Sequence, residues 1–595
     1  MVEIPCVRFD DLSPEGSVSF GLIEPVGEMV ARRIEDVVPM IAEAEKAARA
    51  GSWVAGFVSY EAAPAFNPLL AVRPPGLYDP MRDLPLARFQ AFRRRVELPE
   101  IESAYFPSGD YNVSGWSADA SPEEYRDDHA AIGRAIMAGE VSRLTHTFRL
   151  HAAFNGDPAA LYTDLIQSQR GPHGACLDVG RFRVISASPA GFFRRVGDTL
   201  TMRPVLASIR RGRWLEEDMH LAELLRQEGE ETYVNRLVVK EIEAELAELG
   251  QVLPNSESYA VERLETLWHL VTEMSARVRS DVTLAEVFSA IFPPVSVTGV
   301  PKAEAMALVT ATEGTPRGVY CGAIGFLAPA SDGCCDASFS VAVRTVVIDQ
   351  EEGVAEFGVG AAITTRSEAV AAYEEARLKS KVLVDRRPDF ALVEDFRCER
   401  DGVGFAEEKL RRLLASARYF GYEADVADIE TILSEPAPGQ MPCVIRVLVD
   451  REGGVRGEVA TAPPWQAGPE GSDLLTGALA AAPASTENVY LFHNTTNQRF
   501  ADSMQRQHPD ADVVVYCNER DEVAGALGGN IVVSLDGDWV TPPVECGNVP
   551  TGFRKQLVGE GVIIERIIQR AEMRVSSGIG LLDDIHGWRR VELVD

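Results

Sequence analysis

Apolar and polar positions alternate with a period of two along FSVAVRTVVID (339–349), which predicts a strand carrying Arg344. The period changes to 3.6 in EEYRDDHAAIGRAIMAGE (123–140), where Tyr125, His129, Ile132, Ile136 and Met137 fall near one face. An amphipathic helix follows, with Asp119 or Ser121 as its cap and Pro122 in its first turn. A second helix is predicted over 231–249, stopped by Gly250, and a third over 367–384. The charged, proline-containing DRRPDF (385–390) then breaks the pattern and marks a domain boundary. Further on, the polar, small-residue stretch APPWQAGPEGSD (462–473) subdivides the second half. No internal repeat or heptad is apparent.

At 595 residues the chain is too long for one hydrophobic core, so two or more domains are expected. Its 58 Lys plus Arg against 90 Asp plus Glu leave a formal charge of −32, which argues against nucleic-acid and anionic-membrane partners. An anionic substrate would need a local positive pocket against that background. The opening MVEIPCVRFDD lacks a charged-then-apolar signal pattern, and no apolar run is long enough to span a bilayer, so a cytoplasmic location is expected. The nine cysteines are scattered, and the adjacent Cys334 and Cys335 do not match a zinc spacing; reduced thiols are the simple reading.

Several segments together carry a resemblance. They are WVAGFVSYEAAPAF (53–66), ISASPAGFF (185–193), FPPVSVTGVPKAEAM (292–306), RGVYCGAIGF (317–326), FSVAVRT (339–345), FGVGAAI (357–363) and YEEARLKSKVL (373–383). Their order and spacing resemble the chorismate-utilising enzymes, and the SYEAA stretch favours the aminodeoxychorismate synthase branch, the para-aminobenzoate route, over anthranilate synthase. The residues suit a small dicarboxylate. Arg344 can grip a carboxylate through two parallel hydrogen bonds, Tyr320 can donate one more, and the glycines of FGVG (357–360) let backbone N–H groups approach an anion. The resemblance implies that Tyr320 and Arg344 hold the enolpyruvyl carboxylate. It further implies that Gly358, Gly360, Thr298 and Lys379 line the rest of the site, that His269 is the catalytic histidine near the ring, and that Glu375 ligates Mg2+. For Arg344 alone a strand-edge salt bridge is an equal alternative; for His269 alone a satisfied core histidine is the favoured reading.

The departures concern the chemistry. Leu206, in RPVLASIRRG, occupies the position of the lysine nucleophile, and leucine cannot attack a ring. Ser-Pro-Glu reads Ser188-Pro189-Ala190. In VNRLVVKEIEAEL (234–246) Val234 stands at a magnesium-ligand position and Lys240 replaces an aspartate. Glu231 and Glu241 share the helical face of Val234, so either could supply a carboxylate; alternatively, the Lys240 ammonium could take the place of the metal.

Residues from about 389 to the end resemble aminodeoxychorismate lyase, a class IV pyridoxal-phosphate enzyme. The carriers are EKLRRLLASARYFGY (408–422), FHNTTNQRF (492–500), GGNIVVSLDGDWVTPPVECGNVPTGFR (528–554) and IHGWRRVEL (585–593). Here too the chemical positions have changed. Asn494 replaces the aldimine lysine and Gly525 the glutamate that faces the pyridine nitrogen. Gln498 and Ala501 replace an arginine and a tyrosine, and Asn-Ser-Leu-Arg-Gly reads DDIHG (583–587). Arg412, Asn530, the TPP turn (541–543) and the TGFR loop (551–554) survive as scaffold, the last of which could still bind a phosphate.

The implied architecture is α+β and α/β multidomain: a chorismate-utilising β-sandwich-with-helices domain over 1–388, then a branched-chain-aminotransferase-like two-subdomain α/β region over 389–595. The implied function is biosynthetic, on chorismate or a chorismate-derived dicarboxylate by altered chemistry, without pyridoxal phosphate in the lyase-like domain. Two alternatives stand beside it: a non-catalytic binding or assembly module, and a bifunctional synthase–lyase making para-aminobenzoate. No glutamine amidotransferase domain is visible in the sequence, so that activity would come from a separate partner. The lyase-like domain also allows a homodimer.

Overall fold

The structure is a computed structural model that describes residues 6–13, 18–77, 79–98, 109–227, 230–254, 259–330, 335–383, 390–434, 441–470 and 474–594, the side chains of 230–233 excepted. The chain forms two compact units. The first comprises Met1–Arg210 and Ala222–Arg387; the second comprises Arg211–Leu221 and Pro388–Asp595. Most of the break at 385–390 lies outside the described residues.

The first unit is built from antiparallel strands buried on both faces. The strand Ala323–Pro329 pairs with Trp53–Val58 on one side and Cys335–Val341 on the other. Side chains alternate between two cores. Val54, Val58, Ala323 and Leu327 enter the larger one with Phe339, and Ala55, Phe57 and Ile324 enter the other. Each fully buried Phe or Leu of this kind contributes about 1.5–3 kcal/mol. A second run of antiparallel pairs joins Arg143–Gly156 to Val354–Ile363, and Thr345–Asp349 to both Val354–Ile363 and Phe182–Ser188. A separate three-stranded sheet, Val205–Arg210, Leu267–Val271 and Ala260–Arg263, brings Leu206 and His269 onto neighbouring strands.

The predicted helices form. Pro122–Met137 starts at Ser121, whose side chain makes a reciprocal capping box with Glu124. Tyr125, Ile132 and Ile136 are buried, whereas Met137, the last helical residue, is exposed. The helix Glu230–Leu249 stops where Gly250 enters a strand; a Cβ there would lie 2.1 Å from the carbonyl oxygen of Arg277. The third helix is shorter than its pattern, Ala369–Leu378, with a 3-10 turn over Lys381–Leu383. At its end the Arg344 guanidinium donates to the carbonyl of Lys379, a helix-end acceptor that the helix itself leaves open.

The strand predicted over 339–349 is two strands, Cys335–Val341 and Thr345–Asp349. Arg344 lies in the break with φ 53°, so it is not a strand residue. A left-handed arginine is strained by roughly 1–3 kcal/mol, a conformation that persists only when its surroundings demand it.

In the second unit, a four-stranded antiparallel sheet of Gly402–Val403, Leu392–Glu399, Cys443–Val449 and Val455–Thr461 packs on the helix Ala406–Phe420 through Leu392, Phe396, Leu413, Ala417 and Ile445. A mixed eight-stranded sheet follows in the chain, beginning at Leu474–Leu479. The stretch 462–473 therefore separates two sheets, as its composition predicts. Arg211–Leu221 also belongs to this unit, a crossing of the chain that no sequence signal announces. Asp218 accepts two hydrogen bonds from Arg211, both 2.7 Å, and one from the Gly212 N–H at 2.8 Å. The Arg211 guanidinium lies 4.5 Å above the Tyr419 ring, and the Tyr419 hydroxyl donates to Gly212. Asp218→Asn should therefore destabilise the second unit by about 3–5 kcal/mol, the cost of breaking a buried ion pair. Denaturant unfolding followed by hydrogen exchange at 390–420 checks this; protection lost only in the first unit would contradict it.

Candidate functional site

A cavity of about 240 Å³ opens in the first unit. It is bordered by Arg344, Tyr320, Gly358, Gly360, Lys379, Glu375, His269 and Leu206, and also by Arg143, Ser208, Val234 and Asn235. Residues far apart in sequence meet here because the three-stranded sheet, the strand Val354–Ile363 and the helix Ala369–Leu378 all present a face to it.

Arg344 is 7% exposed. Its hydrogen-bond partner is the Lys379 carbonyl, and among the described residues no carboxylate pairs with it. Burial holds its pKa down to about 10, opposed by Tyr320 and Glu375, so it stays charged at neutral pH. A cation in this setting is costly unless an anion arrives. The Tyr320 ring packs directly against Gly358, where a Cβ would fall 2.2 Å from the ring. Burial pushes its hydroxyl well above the usual range, which keeps it a donor. Lys379 Nζ donates to Glu375 Oε1 at 2.7 Å and to the Gly360 carbonyl at 2.8 Å, so the helix Ala369–Leu378 is tied to the strand beside it.

His269 lies on Leu267–Val271 with Ser208 as its cross-strand partner. Burial, with the nearby Arg344 and Lys379 charges adding to it, lowers its pKa to about 3. The ring is therefore neutral, able to accept one proton and donate another. Leu206, 1% exposed, supplies an apolar wall near it, and its carbonyl accepts from Arg143 Nη1 at 2.8 Å.

Some expected residues lie elsewhere. Thr298 is fully buried outside the cavity border, its hydroxyl donating to Pro294 and its carbonyl accepting from the Thr145 N–H; its neighbours Ser296 and Val297 reach the cavity instead. Lys240 is exposed on the outer face of its helix and does not border the cavity. Glu241 shares the face of Val234, but seven residues of helix carry it roughly 10 Å further along the axis, and it too is off the cavity border. The Glu231 side chain lies outside the described residues. Arg143, Ser208 and Asn235 were not anticipated. For Arg143 the available signal was an arginine opening a largely apolar strand pattern, LTHTFRLHAAF (144–154).

In the second unit, Asn494 donates to Glu394 at 3.3 Å, and Glu394 accepts from Arg412 at 2.7 and 2.9 Å. At Gly525 a Cβ would fall 2.2 Å from the Asn548 amide nitrogen, so the space for a longer side chain is taken. His493 is clamped on both ring nitrogens, 2.9 Å from Ser416 Oγ and 3.0 Å from the Arg213 carbonyl; burial lowers its pKa to about 3. His586 lies 3.1 Å from Asp583. Gln498 donates to the Thr495 carbonyl, and Asn530 to that of Val549.

The model of the chorismate-binding enzymes matches residues 27–385, and that of the class IV amino-transferases matches 391–594. The aminodeoxychorismate synthase of Streptomyces griseus is 33% identical over 254 residues, 42% of this chain and 34% of that protein. Aminodeoxychorismate synthase component 1 of Klebsiella aerogenes is 27% identical over 299 residues, 49% of this chain and 64% of that protein. The chain thus spans less than two thirds of the length of either relative. Among solved structures, anthranilate synthase component I from Streptococcus pneumoniae TIGR4 shares the fold with a TM-score of 0.51 at 19% identity, over 64% of this chain and 93% of that one. No helix among the described residues is long and apolar enough to cross a membrane.

The His269 environment sets a pH dependence. A histidine at about 3 when folded and near 6.5 when unfolded binds its proton only in the unfolded chain between those values. Its contribution is complete above pH 6.5 and is lost as the pH falls towards 3. Burial raises Glu61 to about 7 and Glu356 to about 8, and these act in the opposite sense as the pH rises. The difference between wild type and His269→Gln isolates the histidine: urea unfolding from pH 7 to 4 should show a shallower acid loss in the variant.

Proposed function

The chain belongs to the chorismate-binding enzyme family, with a class IV aminotransferase domain behind that part, and on this premise we propose that its first unit binds chorismate or a chorismate-derived dicarboxylate and transforms it without a lysine nucleophile. One observation carries the reading: Arg344 is buried beside a cavity, with a carbonyl for a partner and no carboxylate among the described residues. An enolpyruvyl carboxylate would supply the missing anion through two parallel hydrogen bonds, with Tyr320 donating a third. Lys379 sets a second cation beside it, and Gly358 and Gly360 admit close approach. Neutral His269 borders the same space and can take or return one proton at the ring. Leu206 offers no group for covalent attack. If the reaction consumes ammonia, a separate glutamine amidotransferase would provide it.

Enzymes of this family typically use Mg2+. Glu375 is the one carboxylate bordering the cavity among the described residues; its Oε1 already accepts from Lys379, and Val234 has no donor atom. Magnesium asks for several oxygen ligands. Among the described residues Glu375 alone supplies a carboxylate to the cavity, so no step runs through the ion; the Glu231 side chain lies outside them. Pyridoxal phosphate does not fit the second unit: Asn494 cannot form an aldimine, and Gly525 leaves no place for an acid against the ring nitrogen. A second reading, a dicarboxylate-binding protein without turnover, is favoured by Leu206 and Val234 together.

Arg344→Ala separates a ligand role from a structural one. Thermal stability should change by no more than about 1 kcal/mol, since the variant loses a helix-end hydrogen bond but also a buried charge. Chorismate binding by calorimetry should weaken by roughly 2–5 kcal/mol. A large loss of stability with unchanged binding would defeat the assignment. Wild-type binding should be insensitive to EDTA, whereas a steep dependence on Mg2+ would restore the metal. Chorismate consumption, followed with and without ammonium, then distinguishes an enzyme from a binding protein.

A further inference from the structure

The N-terminus of the helix Gly552–Gly559 is an anion cradle, and in this chain the anion is internal. Thr551 caps the helix, its hydroxyl accepting from the Arg554 N–H at 3.2 Å. The first two helical N–H groups, of Gly552 and Phe553, donate to the two carboxylate oxygens of Asp584 at 3.1 and 2.8 Å. Lys409 Nζ and Arg412 Nη2 each stand 3.6 Å from the same carboxylate. Asp584 is 5% exposed and Lys409 1%, so neither charge is left to solvent. A pair of backbone N–H groups at a helix start, backed by two cations, is the donor set that holds a phosphate group. The surrounding charges balance without one: Glu394 neutralises Arg412 through two hydrogen bonds, and Asp584 answers Lys409 and the helix dipole.

We propose that Asp584 replaces the phosphate of a ligand in this cradle, so that the second unit excludes phosphorylated small molecules and spends the site on its own stability. The sequence shows an aspartate in DDIHG where the lyase resemblance implies a hydroxyl residue, and the structure places that carboxylate on the helix N–H groups. An incoming phosphate would have to displace a bidentate internal carboxylate and then lie against both Asp584 and Glu394. That repulsion keeps the cradle closed even though its donors are intact. The inference concerns the second unit alone and does not depend on the dicarboxylate reading of the first.

The test uses the full chain with inorganic phosphate and pyridoxal phosphate as probes, each titrated while the unfolding of the second unit is followed by hydrogen exchange at 552–559. In wild type, neither probe should slow exchange. In Asp584→Ser, which removes the internal anion and leaves a hydroxyl, phosphate should restore protection in a saturable manner, and Arg412→Ala in that background should abolish the effect. If Asp584→Ser does not fold, Asp584→Asn keeps the shape of the side chain without its charge and should show the same phosphate dependence. Saturable protection of wild type by either probe, lost on Arg412→Ala, would overturn the proposal. So would a folded Asp584→Ser protein indifferent to phosphate.

Discussion

The guanidinium of Arg344 is buried, held at φ 53°, and hydrogen-bonded to the carbonyl of Lys379. Three features of the first unit meet at that contact. It lies where the helix Ala369–Leu378 ends and where the chain passes from Cys335–Val341 to Thr345–Asp349. It also sets a positive charge against the cavity that His269, Tyr320 and the glycine strand share. The strain of a left-handed arginine and the desolvation of its charge both oppose folding. They are sustained by strands buried on two faces, where Phe57, Val58 and Ile324 lose their contact with water. The stability of the sandwich is thus what permits an unbalanced cation at its edge.

The second unit handles buried charge differently. Glu394, Asp584, Lys409 and Arg412 form a cluster of two acids and two bases, closed further by Asn494 and by two helix N–H groups. Such a cluster is costly to break and leaves little for an external ion to gain. The two halves therefore differ in what they leave for a ligand. The first keeps a cation whose described partner is only a carbonyl, and in the second the buried acids and bases pair with one another. Asn494 and Asp584 both take part in these internal contacts, the first to Glu394 and the second to the helix N–H groups.

Local patterning determined a good deal from the sequence alone. The helix beginning at Ser121 was legible because Ser-Pro-Glu-Glu satisfies the orphan N–H groups of a first turn whatever lies around it. The stop at Gly250 and the separation of two sheets near 462–473 were legible for similar reasons, and the ordered motifs from SYEAA to FGVG identified the family. That Leu206 and Val234 carry no polar side-chain atom was equally legible, whatever the fold. Tertiary structure alone decided the rest. It placed Arg344 outside the strands, in a left-handed conformation beside a distant helix end. Thr298 turned inward to its own loop, Arg143 was brought to the cavity, and residues 211–221 were assigned to the other unit. Glu241 was carried away from the site by the rise of the helix, and Lys240 by its turn to the outer face. Each of these depends on which surfaces far apart in the chain come together, and the energy of such contacts is absent from any local window of sequence.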